Sequence, residues 1–84
     1  MKSVTLYTTT YCPYCTRAKD LLKRKKIPFQ EIDLTHDQKK RDELEERTGW
    51  LTVPMIFIGE EFIGGCDDLY ALEASGELDK KITA

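Results

Sequence analysis

The chain has 84 residues, a net charge of −2 and three cysteines. This length predicts a single domain, residues 1–84, and three cysteines are too few for the disulfide framework of a small secreted protein. No apolar run approaches membrane-spanning length, the start lacks the apolar core of a signal peptide, and no basic excess with interleaved aromatic residues indicates a nucleic-acid surface. We therefore expect a cytoplasmic protein with neither a membrane nor a nucleic acid as its partner.

Hydrophobic spacing and turn residues predict four strands and four helices. In chain order these are strand 4–7, helix 13–25, strand 29–34, helix 37–48, strand 53–58, strand 61–64, a helix that Asp67 or Asp68 caps and that runs to Ser75, and a short helix 78–82. Strand–helix–strand connections favour a parallel first pair, and the turn at Gly59-Glu60 favours a hairpin. The expected fold class is α/β, a four-stranded mixed sheet with helices on both faces in the order β-α-β-α-β-β-α.

The most informative local pattern is a pair of cysteines, Cys12 and Cys15, at the start of the first predicted helix. Pro13 suits the first turn of a helix, where its missing N–H is no loss. Cys12 then lies beside unpaired N–H groups and the positive end of the helix dipole, which stabilise a thiolate, the nucleophile in disulfide exchange. Cys15 follows one turn later and can close onto Cys12, so the spacing predicts a redox pair.

Two other interpretations of the cysteines stay open at this level. A C-x-x-C pair is also half of a zinc site, which Cys66 and His36 could formally complete, although neither comes in a second closely spaced pair. The two cysteines could also be ordinary buried side chains, because a free cysteine packs as a small hydrophobe.

The second predicted helix is highly charged, and opposite charges recur along it at helical spacing. Asp37/Arg41, Lys39/Glu43 and Glu43/Arg47 are each four residues apart, the separation at which side chains on a helix meet. These pairs are expected to stabilise the helix locally, and Gly49 is a plausible end to it.

Three motifs together carry a resemblance to a known family. Cys12-Pro13-Tyr14-Cys15, Thr52-Val53-Pro54 and Gly64-Gly65-Cys66-Asp67-Asp68 occur in this order and at suitable spacing. The sequence resembles the glutaredoxins, specifically the small bacterial-type dithiol class, which has a thioredoxin-like fold. The likeness extends from Val4 through Leu78.

The resemblance implies a binding site for glutathione. In glutaredoxins the proline equivalent to Pro54 follows a cis peptide bond opposite the first cysteine, where the Val53 backbone can pair with an extended peptide. The N–H groups of Cys66 and Asp67 would bind the γ-glutamyl carboxylate, and Asp67 or Asp68 would pair with its ammonium group. The whole implied glutathione-binding set is Tyr14, Arg41, Thr52, Val53, Pro54, Gly65, Cys66, Asp67 and Asp68, with no metal ligand in it.

Some parts of this set have alternatives. Lys40 competes with Arg41 as the base near the glycyl carboxylate, and either could be a solvated helix charge. The Cys66 side chain is expected to be a bystander whose backbone makes the contact. Trp50 and Leu51 could form an apolar rim for a protein partner, or Trp50 could simply be buried against the sheet.

The resemblance also implies the activity, a glutathione-dependent thiol–disulfide oxidoreductase. Cys12 would be the nucleophile and Cys15 the resolving thiol in the reduction of protein disulfides and protein–glutathione mixed disulfides. Glutathione would be a cosubstrate, with no bound cofactor. The implied partners are glutathione, disulfide-containing or glutathionylated proteins such as ribonucleotide reductase, and indirectly glutathione reductase, and the protein is expected to be a monomer.

Two rival functions use the same fold. One is a redoxin that takes electrons from thioredoxin reductase, against which the Gly64–Asp68 segment argues. The other is a binding protein in which Cys12 and glutathione ligate an iron–sulfur cluster between two subunits. Glutaredoxins that bind such clusters well usually replace the second cysteine or relax the Pro-Tyr insert, and this chain keeps both.

Overall fold

One mixed sheet organises the protein, whose computed structural model describes residues 2–83. The strands are β1 (Val4–Thr8), β2 (Phe29–Asp33), β3 (Met55–Ile58) and β4 (Glu61–Gly64), in the spatial order β2-β1-β3-β4. β1 pairs in parallel with β2 and antiparallel with β3, and β3 pairs antiparallel with β4. The predicted parallel first pair and the hairpin are confirmed.

Four helices cover the sheet on both faces, as the sequence predicts. They are α1 (Pro13–Arg24), α2 (Gln38–Thr48), α3 (Cys66–Ser75) and α4 (Glu77–Thr83). Within the described part of the chain, no helix is long and apolar enough to cross a membrane.

Alternating side chains of the strands divide the core between the two faces. On one face Leu6 and Ile58 pack with α1, α3 and α4, whose buried residues include Leu22, Leu69 and Leu78. On the other face α2 contributes a single buried anchor, Leu44, which packs with Leu34, Met55 and Phe57. The face covered by α2 is therefore the thinner one, and the loops beside α2 remain available to form a surface cavity.

Two boundaries differ from the sequence predictions by more than one residue, for clear chemical reasons. β3 begins at Met55 rather than at residue 53, because Pro54 has no N–H to donate to a neighbouring strand. α3 begins at Cys66 with Gly65 as its N-cap, so the prediction that Asp67 or Asp68 occupies the cap is wrong. Asp68 instead accepts the Gly65 N–H at 2.9 Å from the third position of the helix, as in one half of a capping box.

The charge pairing on α2 also differs from the prediction. Asp37 is the N-cap, and its carboxylate accepts the Lys40 N–H at 3.0 Å. Because Asp37 is used in this way, Arg41 pairs with Glu45 in the next turn, with 3.3 Å between Nε and Oε2. α2 ends as expected at Gly49, which adopts a left-handed conformation with φ 73°.

Candidate active site at the start of helix α1

The two cysteines form a disulfide at the beginning of α1, as expected for a redox pair. Their Cα atoms are 5.2 Å apart. Cys12 is the N-cap of α1, with an extended backbone, and Pro13 is the first helical residue. The Cys15 N–H points at the Cys12 sulfur, at 3.0 Å. An amide N–H and the positive end of a helix dipole therefore meet at Cys12, where they would stabilise a thiolate once the disulfide is reduced.

The two sulfurs differ in their accessibility. Cys15 is only 2% exposed and belongs to the buried face of α1 together with Ala18 and Leu22. Cys12 is half-buried, and its sulfur lies 3.7 Å from the carbonyl oxygen of Val53. An external thiol or disulfide can therefore approach Cys12, whereas Cys15 can react only with what Cys12 has already bound.

The loop before Cys12 is fixed by hydrogen bonds to the segment after β2. The Thr10 N–H donates to the Thr35 hydroxyl at 2.7 Å, and the Thr10 hydroxyl donates to Asp33 at 3.2 Å. The Thr35 N–H in turn donates to Asp33 at 2.8 Å. The hydroxyl of Thr35, followed by the Thr35 N–H and the Thr10 hydroxyl, lowers the pKa of the Asp33 carboxyl below its ordinary value. The loop therefore approaches Cys12 from a defined position, although residues 8–11, directly before the cysteine, include no lysine to stabilise its thiolate.

A cavity of about 640 Å³ opens beside Cys12 at the Val53-Pro54 turn. The Val53-Pro54 peptide bond is cis, as the resemblance implies. The lining residues are Tyr14, Arg41, Trp50, Leu51, Thr52, Val53, Pro54, Gly65, Cys66, Asp67 and Asp68. The structure thus brings together all nine residues of the implied binding set, from four separate segments of the chain. The volume of the cavity lies in the range of small-molecule binding sites.

The first turn of α3 forms one wall of this cavity. The N–H groups of Cys66 and Asp67 are the first two of the helix, where no preceding carbonyl can accept them. Asp67 is exposed, whereas Asp68 is half-buried and bonded to the Gly65 N–H. This wall therefore offers free N–H donors together with one unengaged carboxylate, a combination suited to the carboxylate and ammonium groups of an amino acid.

The Cys66 thiol is a poor candidate for a second nucleophile. Its side chain is 4% exposed, and burial raises the pKa of the thiol above its ordinary value. The thiol therefore stays protonated near neutral pH. This agrees with the expectation that Cys66 contributes its backbone rather than its sulfur.

Of the two basic candidates on α2, only Arg41 lines the cavity. The Lys40 ammonium lies over the ring of Tyr7, 6.0 Å from its centroid. The Arg41 guanidinium is paired with Glu45, and both side chains are largely shielded from solvent, with 29% and 24% of their surface exposed. Glu45 was not identified from the sequence, because its importance depends on which face of α2 turns toward the cavity.

Trp50 and Leu51 also line the cavity, although the sequence assigned them only to a possible rim. The half-buried Trp50 ring packs edge-on against Phe62 of the sheet, with 5.7 Å between ring centroids, and lines the cavity as well. Its indole N–H is buried and has no hydrogen-bond partner within residues 2–83. Leu51 is 70% exposed. The only sequence signal for either residue is its place directly before the Thr-Val-Pro motif.

The residues of the zinc alternative are not assembled into a metal site. Cys12 and Cys15 are bonded to each other, and Cys66 is buried in the first turn of α3. Throughout the described ranges there is no group of three or more histidine, cysteine, aspartate and glutamate side chains that could hold a metal ion.

Comparison with known proteins agrees with this geometry. The sequence model of the glutaredoxin family matches residues 4–63. A glutaredoxin from Pseudomonas aeruginosa is 52% identical over 84 residues, covering 100% of both chains. The solution structure of a glutaredoxin from Brucella melitensis is 51% identical with a TM-score of 0.87, covering 100% of this chain and 94% of that chain.

A third relative was solved with a ligand. The crystal structure of a buckwheat glutaredoxin–glutathione complex has a TM-score of 0.92 and 33% identity, and it covers 98% of this chain and 77% of that chain. The thioredoxin-like fold that the sequence predicts is therefore confirmed. With its cysteine pair at the start of α1, the chain belongs to the glutaredoxin family of thiol–disulfide oxidoreductases.

Proposed function

We propose that this protein uses glutathione to reduce protein–glutathione mixed disulfides and protein disulfides. The observation that carries the proposal is the cavity beside Cys12, which is lined by every residue that the family resemblance implies for glutathione binding. The complex of the buckwheat relative with glutathione supports the same ligand here.

The tripeptide fits the cavity by its charged ends. Its γ-glutamyl carboxylate accepts the free N–H groups of Cys66 and Asp67, and its ammonium group pairs with the exposed Asp67 carboxylate. Its glycyl carboxylate faces Arg41, which is the single base among the described residues that line the cavity. The cysteinyl segment runs along the Val53 backbone, which lies beside the Cys12 sulfur.

Removal of glutathione from a protein needs Cys12 alone. The Cys12 thiolate attacks the glutathione sulfur, so that a Cys12–glutathione disulfide forms while the original bond breaks and the protein sulfur leaves as a thiolate that takes up a proton. The thiolate of a second glutathione then attacks the adduct. This step releases glutathione disulfide and restores the Cys12 thiolate.

Reduction of a protein disulfide also needs Cys15. Cys12 first forms a mixed disulfide with the substrate, and Cys15 then attacks the Cys12 sulfur, which releases the reduced protein and leaves the internal disulfide. Two glutathione molecules reduce that disulfide and become glutathione disulfide. Glutathione reductase, acting on glutathione disulfide rather than on this protein, would supply the electrons.

A coupled assay tests the proposal. With glutathione, glutathione reductase and a small glutathione mixed disulfide, the protein is expected to accelerate NADPH consumption, and with thioredoxin reductase in place of glutathione and its reductase it is not. The same rate with and without the protein would refute the proposed reaction. Turnover only with thioredoxin reductase would establish the rival redoxin function instead.

A further inference from the structure

The base that faces the glycyl end of the cavity is already paired with an acid. Arg41 and Glu45 lie one turn apart on α2, with 3.3 Å between Nε and Oε2. Less than a third of either side chain is exposed, so solvent screens this pair less than it screens an ordinary surface pair. The bond uses Nε, which leaves the terminal guanidinium nitrogens available to a ligand.

The charged side chains of the lining, taken together, do not favour an anion. Among the described residues its lining contains one base, Arg41, and two acids, Asp67 and Asp68. Glutathione carries two carboxylates and one ammonium group, so it brings a net negative charge to a lining that is itself acidic. Glu45 behind Arg41 makes the balance more negative still. The apolar side chains of Trp50 and Leu51, which share the lining, suit an uncharged group.

We infer that Glu45 sets the specificity of the cavity because it weakens the attraction between Arg41 and the glycyl carboxylate. Glutathione derivatives that are esterified or amidated at glycine are therefore also accepted. This inference rests on the proposed function. A carboxylate that approaches Arg41 is attracted by the guanidinium and repelled by Glu45, and the repulsion offsets part of the attraction because Glu45 lies within hydrogen-bond distance of the same guanidinium. A neutral ester is neither attracted by Arg41 nor repelled by Glu45.

The test compares two mixed disulfides of 2-mercaptoethanol, one with glutathione and the other with its glycyl ethyl ester. The protein carries Cys15→Ser throughout, so that the adduct on Cys12 accumulates, and mass spectrometry follows its formation in single-turnover conditions. With Glu45 present, the two rate constants are expected to agree within about twofold. Glu45→Gln should raise the preference for the free acid about threefold to fivefold, the size of one partly exposed ion pair.

Two further variants isolate the cause. Glu43→Gln removes the same charge from an exposed position about 200° around α2 from Arg41, and it is expected to leave the preference unchanged. Arg41→Gln leaves the repulsion by Glu45 unopposed and is expected to shift the preference toward the ester. Adding Glu45→Gln should bring the two rate constants back to within about twofold of each other, because no charge of this pair then acts on the glycyl end.

The inference is overturned if Glu45→Gln leaves the preference for the free acid unchanged, or if it lowers that preference, which would show that Glu45 orients Arg41 for binding rather than weakening it. An equal rise in Glu43→Gln protein would also overturn it, since the effect would then come from net charge. If neither mixed disulfide reacts with Cys12 faster than with free cysteine, the proposed function itself fails. Failure of the inference alone gives a different result, in which both compounds react with Cys12 and Glu45→Gln leaves the ratio of their rate constants unchanged.

Discussion

Burial separates the chemical roles of Cys12 and Cys15. Because the Cys12 sulfur borders the cavity and Cys15 is 2% exposed, only Cys12 can meet an external disulfide. We therefore expect Cys12→Ser to abolish every activity, with a loss of at least about a thousandfold in rate, the scale seen when a catalytic nucleophile is removed. Cys15→Ser should retain removal of glutathione from a mixed disulfide and lose reduction of a protein disulfide.

Both activities can be measured on the same preparations with a glutathionylated peptide and a disulfide-bonded protein as substrates. Cys66→Ser serves as the matched control, because its buried thiol has no role in either route. If Cys15→Ser reduces both activities to the same extent, the assignment of Cys15 as the resolving thiol is wrong.

The adjacent acids Asp67 and Asp68 are expected to have different functions. Asp67 is exposed and makes no side-chain hydrogen bond within residues 2–83, whereas Asp68 accepts the Gly65 N–H at 2.9 Å. Asp67→Ala should therefore raise the KM for glutathione about twofold to fivefold, with little change in stability, because an ammonium partner is lost. Asp68→Ala should lower the free energy of unfolding by about 1 kcal/mol, as loss of a helix cap does.

Steady-state kinetics and urea unfolding of both variants in the reduced state give the two quantities. The assignment is contradicted if Asp67→Ala leaves KM unchanged or if it destabilises the protein as much as Asp68→Ala does.

At the scale of the element, the junction between β4 and α3 depends on a glycine. Gly64 has φ 111°, and a Cβ added there would lie 2.6 Å from Cγ of Asp68, so that it would overlap the Asp68 carboxylate. The carboxylate could move aside only by giving up its bond to Gly65. Gly64→Ala should therefore lower the free energy of unfolding by about 2–3 kcal/mol, from backbone strain and the lost cap together.

Gly76, at the end of α3, provides the matched control. Its φ is 79°, and an added Cβ would meet nothing within 4 Å. Gly76→Ala thus measures the backbone cost alone, about 1 kcal/mol. When measured by urea unfolding, the losses in free energy of unfolding of the two variants should differ by the contribution of Asp68. Equal losses would show that the contact between Gly64 and Asp68 is unimportant.

Elements with regular spacing were predictable from sequence, and their ends were less so. α1 shows buried residues at helical spacing, from Cys15 to Leu22, so both its existence and its buried face could be predicted. The first residue of α3 could not, because Gly and Asp are both good caps and the choice depends on where β4 delivers the chain.

The same limit applies to the site. Eight of its nine implied lining residues belong to the three motifs, which fix their own backbone geometry, and the ninth, Arg41, was implied by its place on the charged helix. Trp50, Leu51 and Glu45 do not belong to a motif, and their importance depends on how α2 is rotated against the sheet. The pairing of Arg41 with Glu45 rather than with Asp37 follows from the cap of α2, a tertiary detail that charge spacing alone does not determine.

Across the whole molecule, ion pairs connect elements that are distant in sequence. Lys25, which follows α1, reaches Glu73 of α3 at 2.8 Å and Asp79 of α4 at 3.3 Å, and Lys81 of α4 reaches Glu61 of β4 at 2.8 Å. These pairs are partly exposed, so each contributes little by itself.

Another charged side chain, Glu31 on the edge strand β2, is better placed than these ion pairs to stabilise the fold. Its carboxylate accepts the hydroxyl of the fully buried Thr8 on β1 at 2.8 Å and the ammonium group of Lys19 on α1 at 3.0 Å. The Thr8 hydroxyl, followed by Lys19, lowers the pKa of the Glu31 carboxyl below its ordinary value of 4.5. The unfolded chain therefore binds this proton at a higher pH than the folded protein does.

Linkage between protonation and folding fixes the sign of the resulting pH dependence. The stability from Glu31 is fully present above its ordinary pKa and is lost as the pH falls through the lower pKa of the folded state. Glu31→Gln should therefore lose less of its free energy of unfolding than the parent protein between about pH 6 and about pH 3, as measured by urea unfolding. The exposed Glu46→Gln should follow the parent curve, since the Glu46 side chain makes no hydrogen bond or ion pair within residues 2–83. Asp33 and Glu61 also have lowered pKa values, so some acid sensitivity will persist in Glu31→Gln. Parallel curves for the parent and Glu31→Gln would mean that the contacts of Glu31 with Thr8 and Lys19 do not stabilise the fold.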